Sequence, residues 1–213
     1  MRIARLSKDL FDIVRHLDIK EAIPCGHSIG CSVLWSYLEL FGESGIKAAI
    51  LIDQSPVIMS TCYIKDNYKW YLLDIQDFSR TICQMATKEG YQSMLMEHFR
   101  DGFVSDSSLK AGDLTQWMNE AMKMNPRNIA RLMMDTLIQD WTDMVCSIRI
   151  PCLILSGESS MVPWQTQQWL HTKIPNAKLK ILSTKEGGVH AMFLDEIGLE
   201  KIWCHIEKHL KEL

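Results

Sequence analysis

The sequence predicts an α/β protein with a mostly parallel sheet, flanking helices and a helical insertion. Short apolar runs that suit buried strands alternate with helical patterns near both ends of the chain. The middle, residues 57–146, has helical patterns and lacks the alternation of apolar and polar residues that is typical of strands. Strand, helix and strand at this spacing form a crossover connection, which joins parallel strands.

Residues 1–56 are predicted to be the first part of the α/β core. Apolar residues spaced three and four apart predict a helix over 3–17, and an apolar run predicts a buried strand over 19–25. A second helix is predicted over 29–41 and a second strand over 48–52. Pro24 has no N–H to donate, which favours the edge of the sheet or a bulge over its centre.

Residues 57–146 are predicted to be a helical cap, broken in two at Asn125-Pro126. This segment holds most of the thirteen methionines of the chain. Methionine fills irregular apolar gaps, so these side chains are expected either to form the core of the insertion or to line an apolar substrate site.

Residues 147–213 are predicted to complete the core. Apolar runs over 150–155 and 178–182 indicate two strands, and Pro163 is predicted to begin the helix between them. The chain is expected to end in an amphipathic helix whose apolar stripe comprises Ile197, Ile202, Trp203, Ile206 and Leu210.

The composition argues against several classes of protein. The 213 residues carry a net charge of −3 with no run rich in Lys or Arg, so neither nucleic acid nor a membrane is an expected partner. Seven cysteines without regular spacing predict reduced thiols and a cytoplasmic location. The sequence has no C-x-x-C or H-E-x-x-H pattern, and neither a metal nor an organic cofactor is predicted.

The segment Gly26-His27-Ser28-Ile29-Gly30 matches the pattern G-x-S-x-G where a predicted strand meets a predicted helix. This pattern places a serine hydroxyl on a strained turn above a sheet. His190 follows the last predicted strand on a loop that contains Gly187 and Gly188. Ligands bind at the carboxyl ends of parallel strands, so His190 is predicted to act as the general base for Ser28.

These motifs resemble the α/β-hydrolase fold, in particular serine esterases and lipases, with residues 57–146 as the cap. The resemblance implies that Ser28 is the nucleophile, that His190 is the triad histidine and that the N–H of Ile29 binds the oxyanion. The stretch 155–163 resembles the acid loop of the family, although Ser160 stands where the aspartate is usual.

Serine cannot supply a carboxylate, so the triad acid must come from elsewhere. Some proteins of this fold take the acid from the end of the strand after the nucleophile helix, which here is Asp53. Asp53 is therefore the predicted acid, and Glu158 is the alternative. Asp53 before Ser-Pro would also suit a turn without any catalytic role.

Three neighbours of Ser28 are predicted to have no catalytic role. His27 is expected to be directed away from the nucleophile by the turn, and Cys25 and Cys31 are expected to pack. A nucleophilic Cys–His pair is the weaker alternative, because neither cysteine occupies the turn position.

The resemblance also implies a second oxyanion donor on an earlier loop and further strands before Ile19. The chain is therefore expected to be N-terminally truncated. An exposed edge on the first strand would make a homodimer possible through that edge.

The expected function is hydrolysis of a small hydrophobic ester or related carbonyl compound through a Ser-His-Asp triad and an acyl-enzyme. Two alternatives of the same fold are a cofactor-free haloperoxidase and a C–C bond hydrolase, because one triad serves several chemistries. A third alternative is a catalytically silent remnant that acts as an interaction module.

Overall fold

The computed structural model of the chain describes residues 1–60, 72–98, 111–194 and 196–213. The helices and strands of these residues are α1 (Ile3–His16), β1 (Cys25–His27), α2 (Ile29–Phe41), β2 (Ala49–Ile52), β3 (Met59–Ser60), β4 (Leu73–Asp74), α3 (Ile75–Met85), α4 (Lys88–His98), α5 (Ala111–Ala121), α6 (Pro126–Leu137), α7 (Thr142–Val145), β5 (Cys152–Gly157), α8 (Trp164–Lys173), β6 (Ala177–Leu182) and α9 (Glu196–Lys211).

The centre of the fold is a four-stranded parallel sheet in the order β1-β2-β5-β6. One row of paired residues crosses it from Gly26 through Leu51 and Ile154 to Leu179. Because all four strands run in the same direction, their carboxyl ends meet at one edge of the sheet. The loops after β1, β2, β5 and β6 therefore lie close together.

Both faces of the sheet are buried, which explains the continuous apolar runs of β2 and β5. Side chains alternate between the faces, so Leu51 and Ile154 pack with Trp35 of α2 and Leu170 of α8. Leu153 and its alternate neighbours pack in a second cluster, against Ile202 and Ile206 of α9. The sheet thus lies between two helical layers.

The helices α3–α6 form a smaller cluster of their own. Its buried members are Met85, Tyr91, Met94, Leu95, Ala121 and Ala130, and further methionines pack around them. Two roles are predicted for the methionines of the insertion, as core or as lining of a substrate site. The methionines of this cluster form part of a core. Residues 61–71 and 99–110 of the predicted cap lie outside the described residues. In the part of the chain that the structure covers, no helix is both long enough and apolar enough to cross a bilayer.

The first strand differs from its prediction. It covers Cys25–His27 rather than residues 19–25. Before it, Ala22 makes an isolated bridge to Ile46, and the carbonyl of Pro24 accepts a hydrogen bond from Ile50 N–H. Pro24 cannot donate in return, so the regular ladder begins only after it. β1 lies at an edge of the described sheet, and a homodimer through this edge stays a prediction.

Other elements match or shift slightly. α2 spans the predicted residues and ends at Gly42, whose φ of 74° suits glycine. Pro163 occupies the N-cap position of α8 rather than its first helical position. The two-residue strands β3 and β4 pair within a segment predicted to have no strand.

The apolar stripe predicted for the last helix is only partly buried. α9 buries Gly198, Ile202, Ile206 and His209, which are spaced three and four residues apart. Trp203 is 57% exposed, because it lies on the flank of that face. Burial therefore follows the helical period and not the hydrophobicity of each residue.

Candidate active site

Ser28 lies on the tight turn that joins β1 to α2. Its backbone has φ 52° and ψ −124°, a conformation that is uncommon for a residue with a side chain. The N–H of Ser28 donates to the carbonyl of Ile52 at 2.9 Å, which ties the turn to the end of β2. A strained residue held by its neighbours is typical of a functional site.

The two glycines of the motif have different roles. A Cβ atom on Gly26 would lie 2.6 Å from the carbonyl carbon of Gly30, which is too close for any real side chain. A Cβ atom on Gly30 would meet nothing within 4 Å. The close passage of strand and helix therefore requires glycine at position 26 and only tolerates it at position 30.

The structure brings Ser28, His190 and Asp53 together, although they are distant in the sequence. Nε2 of His190 lies 3.0 Å from Ser28 Oγ, and Nδ1 of His190 lies 2.8 Å from Asp53 Oδ2. A carboxylate can only accept, so Nδ1 carries the proton and Nε2 is left to accept from the serine hydroxyl. Asp53 is fully buried and His190 is 4% exposed.

Asp53 directly follows β2 and has a left-handed backbone, with φ 54°. Its N–H donates to the carbonyl of Leu155 at 2.9 Å, which fixes the residue against the end of β5. Its carboxylate accepts from Ser156 Oγ at 3.1 Å, from the N–H of Gly157 at 3.3 Å, and from Ser160 Oγ. A buried carboxylate needs such partners, because an uncompensated charge is costly away from water.

Glu158, the alternative acid, points elsewhere. Its side chain is exposed, and Oε2 accepts from the N–H of Thr184 at 3.1 Å. The carboxylate that lies against His190 is that of Asp53.

His27 lies closer to the site than the sequence suggested. Its Nε2–H donates to the backbone carbonyl of His190 at 2.9 Å, and the centroids of the two imidazole rings are 4.7 Å apart. The ring of Phe193 packs edge-on against His27. Burial, and then the positive charge that His190 can carry, lower the pKa of His27 from 6.5 to about 4. His27 is thus a neutral donor near pH 7.

The two cysteines beside the turn are poor nucleophiles. The Sγ–H of Cys31 donates to the carbonyl of Gly26 at 3.1 Å, and complete burial raises the pKa of this thiol. Cys25 is exposed, contrary to the expectation that it packs, although partial desolvation still raises the pKa of its thiol. Since the thiolate is the reactive form, both residues are held in the unreactive thiol form.

Ile29 is the first residue of α2 and directly follows Ser28. The first N–H groups of a helix have no partner within the helix, and they attract negative charge. The N–H of Ile29 belongs to this group, and its role as an oxyanion donor stays a prediction. The second donor stays a prediction.

Sequence reasoning missed the hydroxyl donors to Asp53. Ser156 and Ser160 were not predicted to contact it, yet both donate to its carboxylate. The available signal was the cluster of small polar residues in the last part of β5 and the loop after it, at the edge of the sheet where Asp53 also lies.

The described residues also form a shallow cavity of about 290 Å³ between α3 and α6. None of Ser28, Asp53 and His190 lines it; its lining residues are Ile82, Ala86, Arg127, Ala130, Arg131 and Met134. The cavity therefore lies among the helices, whereas the hydrogen-bonded side chains of Ser28, Asp53 and His190 lie at the edge of the sheet. Within the described ranges, no three His, Cys, Asp or Glu side chains are grouped to hold a metal ion.

Comparison with known proteins identifies the fold of the chain. No protein-family model matches the chain. A non-heme haloperoxidase from Rhodococcus erythropolis is 21% identical over 194 residues, which cover 90% of this chain and 70% of that protein.

Two solved structures superpose closely. An esterase from Exiguobacterium antarcticum (EaEST) has a TM-score of 0.84 at 22% identity, over 99% of this chain and 74% of the esterase. A bromoperoxidase from Bacillus anthracis has a TM-score of 0.83 at 18% identity, over 96% of this chain and 72% of its own. The chain therefore has a partial α/β-hydrolase fold, as the sequence predicted.

Proposed function

We propose that the protein is a serine hydrolase in which Ser28 is the nucleophile, His190 the general base and Asp53 the acid that orients it. The supporting observation is the hydrogen-bonded series from Ser28 Oγ through both ring nitrogens of His190 to Asp53 Oδ2. It lies at the carboxyl edge of a parallel sheet, where ligands bind in α/β proteins.

The first half of the reaction forms an acyl-enzyme. Ser28 Oγ attacks the carbonyl carbon of the ester while Nε2 of His190 takes the hydroxyl proton. Asp53 stabilises the imidazolium, and the N–H of Ile29 donates to the oxyanion. The tetrahedral intermediate collapses, the bond to the leaving oxygen breaks, and Nε2 gives its proton to the departing alcohol.

The second half repeats these roles with water. Nε2 of His190 removes a proton from water, whose oxygen attacks the acyl carbon. Collapse of this intermediate breaks the bond to Ser28 Oγ and returns the proton from Nε2 to the serine. The products are a carboxylic acid and free enzyme.

The proposed substrate is a small hydrophobic ester or a related carbonyl compound. The esterase among the similar structures supports the ester, and the apolar composition of residues 57–146, proposed as a cap, supports the apolar character.

A haloperoxidase activity is the second candidate, because both a haloperoxidase and a bromoperoxidase resemble the chain. The same residues can form a peracid from hydrogen peroxide. The acyl-enzyme forms from a carboxylic acid with release of water. Hydrogen peroxide then attacks the acyl carbon while Nε2 of His190 takes one of its protons. The bond to Ser28 Oγ breaks, the proton returns to the serine, and the products are a peracid and free Ser28. The peracid then oxidises a halide outside the protein.

Labelling with a fluorophosphonate probe tests the proposal at the nucleophile. The protein is expected to be labelled stoichiometrically, and Ser28→Ala is expected to abolish labelling and ester turnover. Ser147→Ala, which alters an exposed serine on another loop, is the matched control and should label like the parent. A folded parent protein that neither labels nor hydrolyses nitrophenyl esters would contradict the proposal and favour an interaction module.

The same preparation separates the two chemistries. With acetate, bromide and hydrogen peroxide, bromination of a phenol dye that depends on Ser28 would assign the peroxidase route. Ester hydrolysis without bromination would assign the hydrolase alone.

A further inference from the structure

Ser160 has an unusual place in the site. It lies on the loop after β5, and its Oγ donates to Asp53 Oδ2. The same Oγ accepts from the N–H of Val162 at 3.0 Å. Because the amide occupies a lone pair of the hydroxyl, its one hydrogen is directed at the carboxylate.

The oxygen that Ser160 contacts is the one that serves His190. Oδ2 of Asp53 accepts from Nδ1 of His190 at 2.8 Å and also from Ser160. The other oxygen, Oδ1, accepts from Ser156 Oγ and from the N–H of Gly157. Four donors use all the acceptor positions of a carboxylate, so its plane is fixed relative to the imidazole ring.

We propose that Ser160 is a positioning residue that holds Oδ2 of Asp53 against Nδ1 of His190. This inference rests on the proposed function and adds a residue to it. Ser160 Oγ and His190 Nδ1 both lie within hydrogen-bond distance of that one oxygen atom.

The hydroxyl is tested first by removing it. Ser160→Ala is expected to lower kcat about tenfold or more, since a hydrogen bond to a charged group is lost, and to leave KM within about twofold. Ser160→Thr keeps a hydroxyl and should retain most of the rate. Ser159→Ala is the matched control, because the neighbouring hydroxyl pairs with Thr184 at 2.6 Å instead of with Asp53.

The dependence on Asp53 is tested by a double-mutant cycle. In an Asp53→Asn background, Ser160→Ala should cause little further loss, because the charge that it positions is gone. An equal loss in both backgrounds would show that Ser160 acts independently of Asp53 and would overturn the inference.

A spectroscopic readout keeps this inference separate from the activity. The proton between His190 Nδ1 and Asp53 is expected to give a low-field NMR signal, which Asp53→Asn removes. Ser160→Ala should shift that signal and Ser159→Ala should leave it in place. If the parent shows no turnover, the proposed function fails while the shift still supports Ser160 as a positioning residue; an unshifted signal overturns it.

Discussion

The carboxyl edge of the four-stranded sheet and the helices α3–α6 are held together by different kinds of contact. At the sheet edge, side chains from loops more than a hundred residues apart meet through directional hydrogen bonds, as between Asp53 and His190. In the helices, the buried side chains are mostly apolar, and methionine is prominent among them.

The two regions therefore differ in their tolerance of substitution. A hydrogen-bonded array has one productive arrangement, and small displacements of a reacting group are expensive in rate. An apolar cluster rich in flexible methionine can repack around a change. We therefore expect substitutions at the sheet edge to act on rate and substitutions in the helices to act on stability.

The largest effect is expected at the acid. Asp53→Asn should lower the rate of ester hydrolysis by about 10⁴-fold, because the amide cannot stabilise the imidazolium and favours the wrong tautomer of the histidine. Glu158→Gln should change the rate by less than about threefold, since that exposed side chain pairs with Thr184. The opposite ranking, measured as kcat on one ester with both variants folded, would move the acid to Glu158.

The next effect is expected at the turn that carries Ser28. Gly26→Ala forces a Cβ atom into the backbone of Gly30. We expect a loss of about 2–3 kcal/mol in the free energy of unfolding and up to about a hundredfold in rate, as the nucleophile shifts. Gly30→Ala is the matched control, because its Cβ atom meets open space. Denaturant unfolding and fluorophosphonate labelling measure both effects, and equal losses in the two variants would show that the close contact at Gly26 does not require glycine.

His27 should have a smaller effect on rate, with a distinct dependence on pH. His27→Phe removes one hydrogen bond to the backbone of His190, so we expect a loss of about tenfold in kcat. The pKa of His27 is lowered from 6.5 to about 4. Below pH 6.5 His27 binds a proton in the unfolded chain but stays neutral in the folded protein. The free energy of unfolding therefore falls as the pH drops toward 4.

This loss in the free energy of unfolding amounts to about 3 kcal/mol and should be absent from His27→Phe. Denaturant unfolding of both proteins at pH 7.5 and pH 4.5 measures it, since the other histidines cancel in the difference. Equal losses of stability in the two proteins would show that His27 is not buried as a neutral ring.

The smallest effect on reactivity is expected in the helices. Met85→Ala empties a site that is 2% exposed and should cost about 2–5 kcal/mol in the unfolding of the cluster around it. The rate of Ser28 labelling by a small fluorophosphonate should stay within about twofold. A large loss of labelling, with the sheet still folded, would show that the reactivity of Ser28 depends on packing in the helices.

Much of the fold could be predicted because it depends on local pattern. α2 begins and ends at the predicted residues, since Gly42 permits a backbone conformation that ends the helix. β1 was misplaced by several residues, because a short apolar run does not reveal where its pairing with β2 begins. The exposure of Trp203 was missed for a similar reason: burial depends on what packs against the helix, and the sequence alone does not specify that.

The candidate site, like the fold, could be predicted from the sequence only in part. The sequence by itself determined the residue types, the strained turn at Ser28 and the position of Asp53 and His190 at strand ends, because these follow from motif and order along the chain. Only the tertiary structure decided that Asp53 rather than Glu158 faces His190, that His27 donates to its backbone, and that Ser160 contacts the same carboxylate oxygen. Those contacts join loops from separate strands, and their geometry is set by the register and twist of the sheet, which no local pattern encodes.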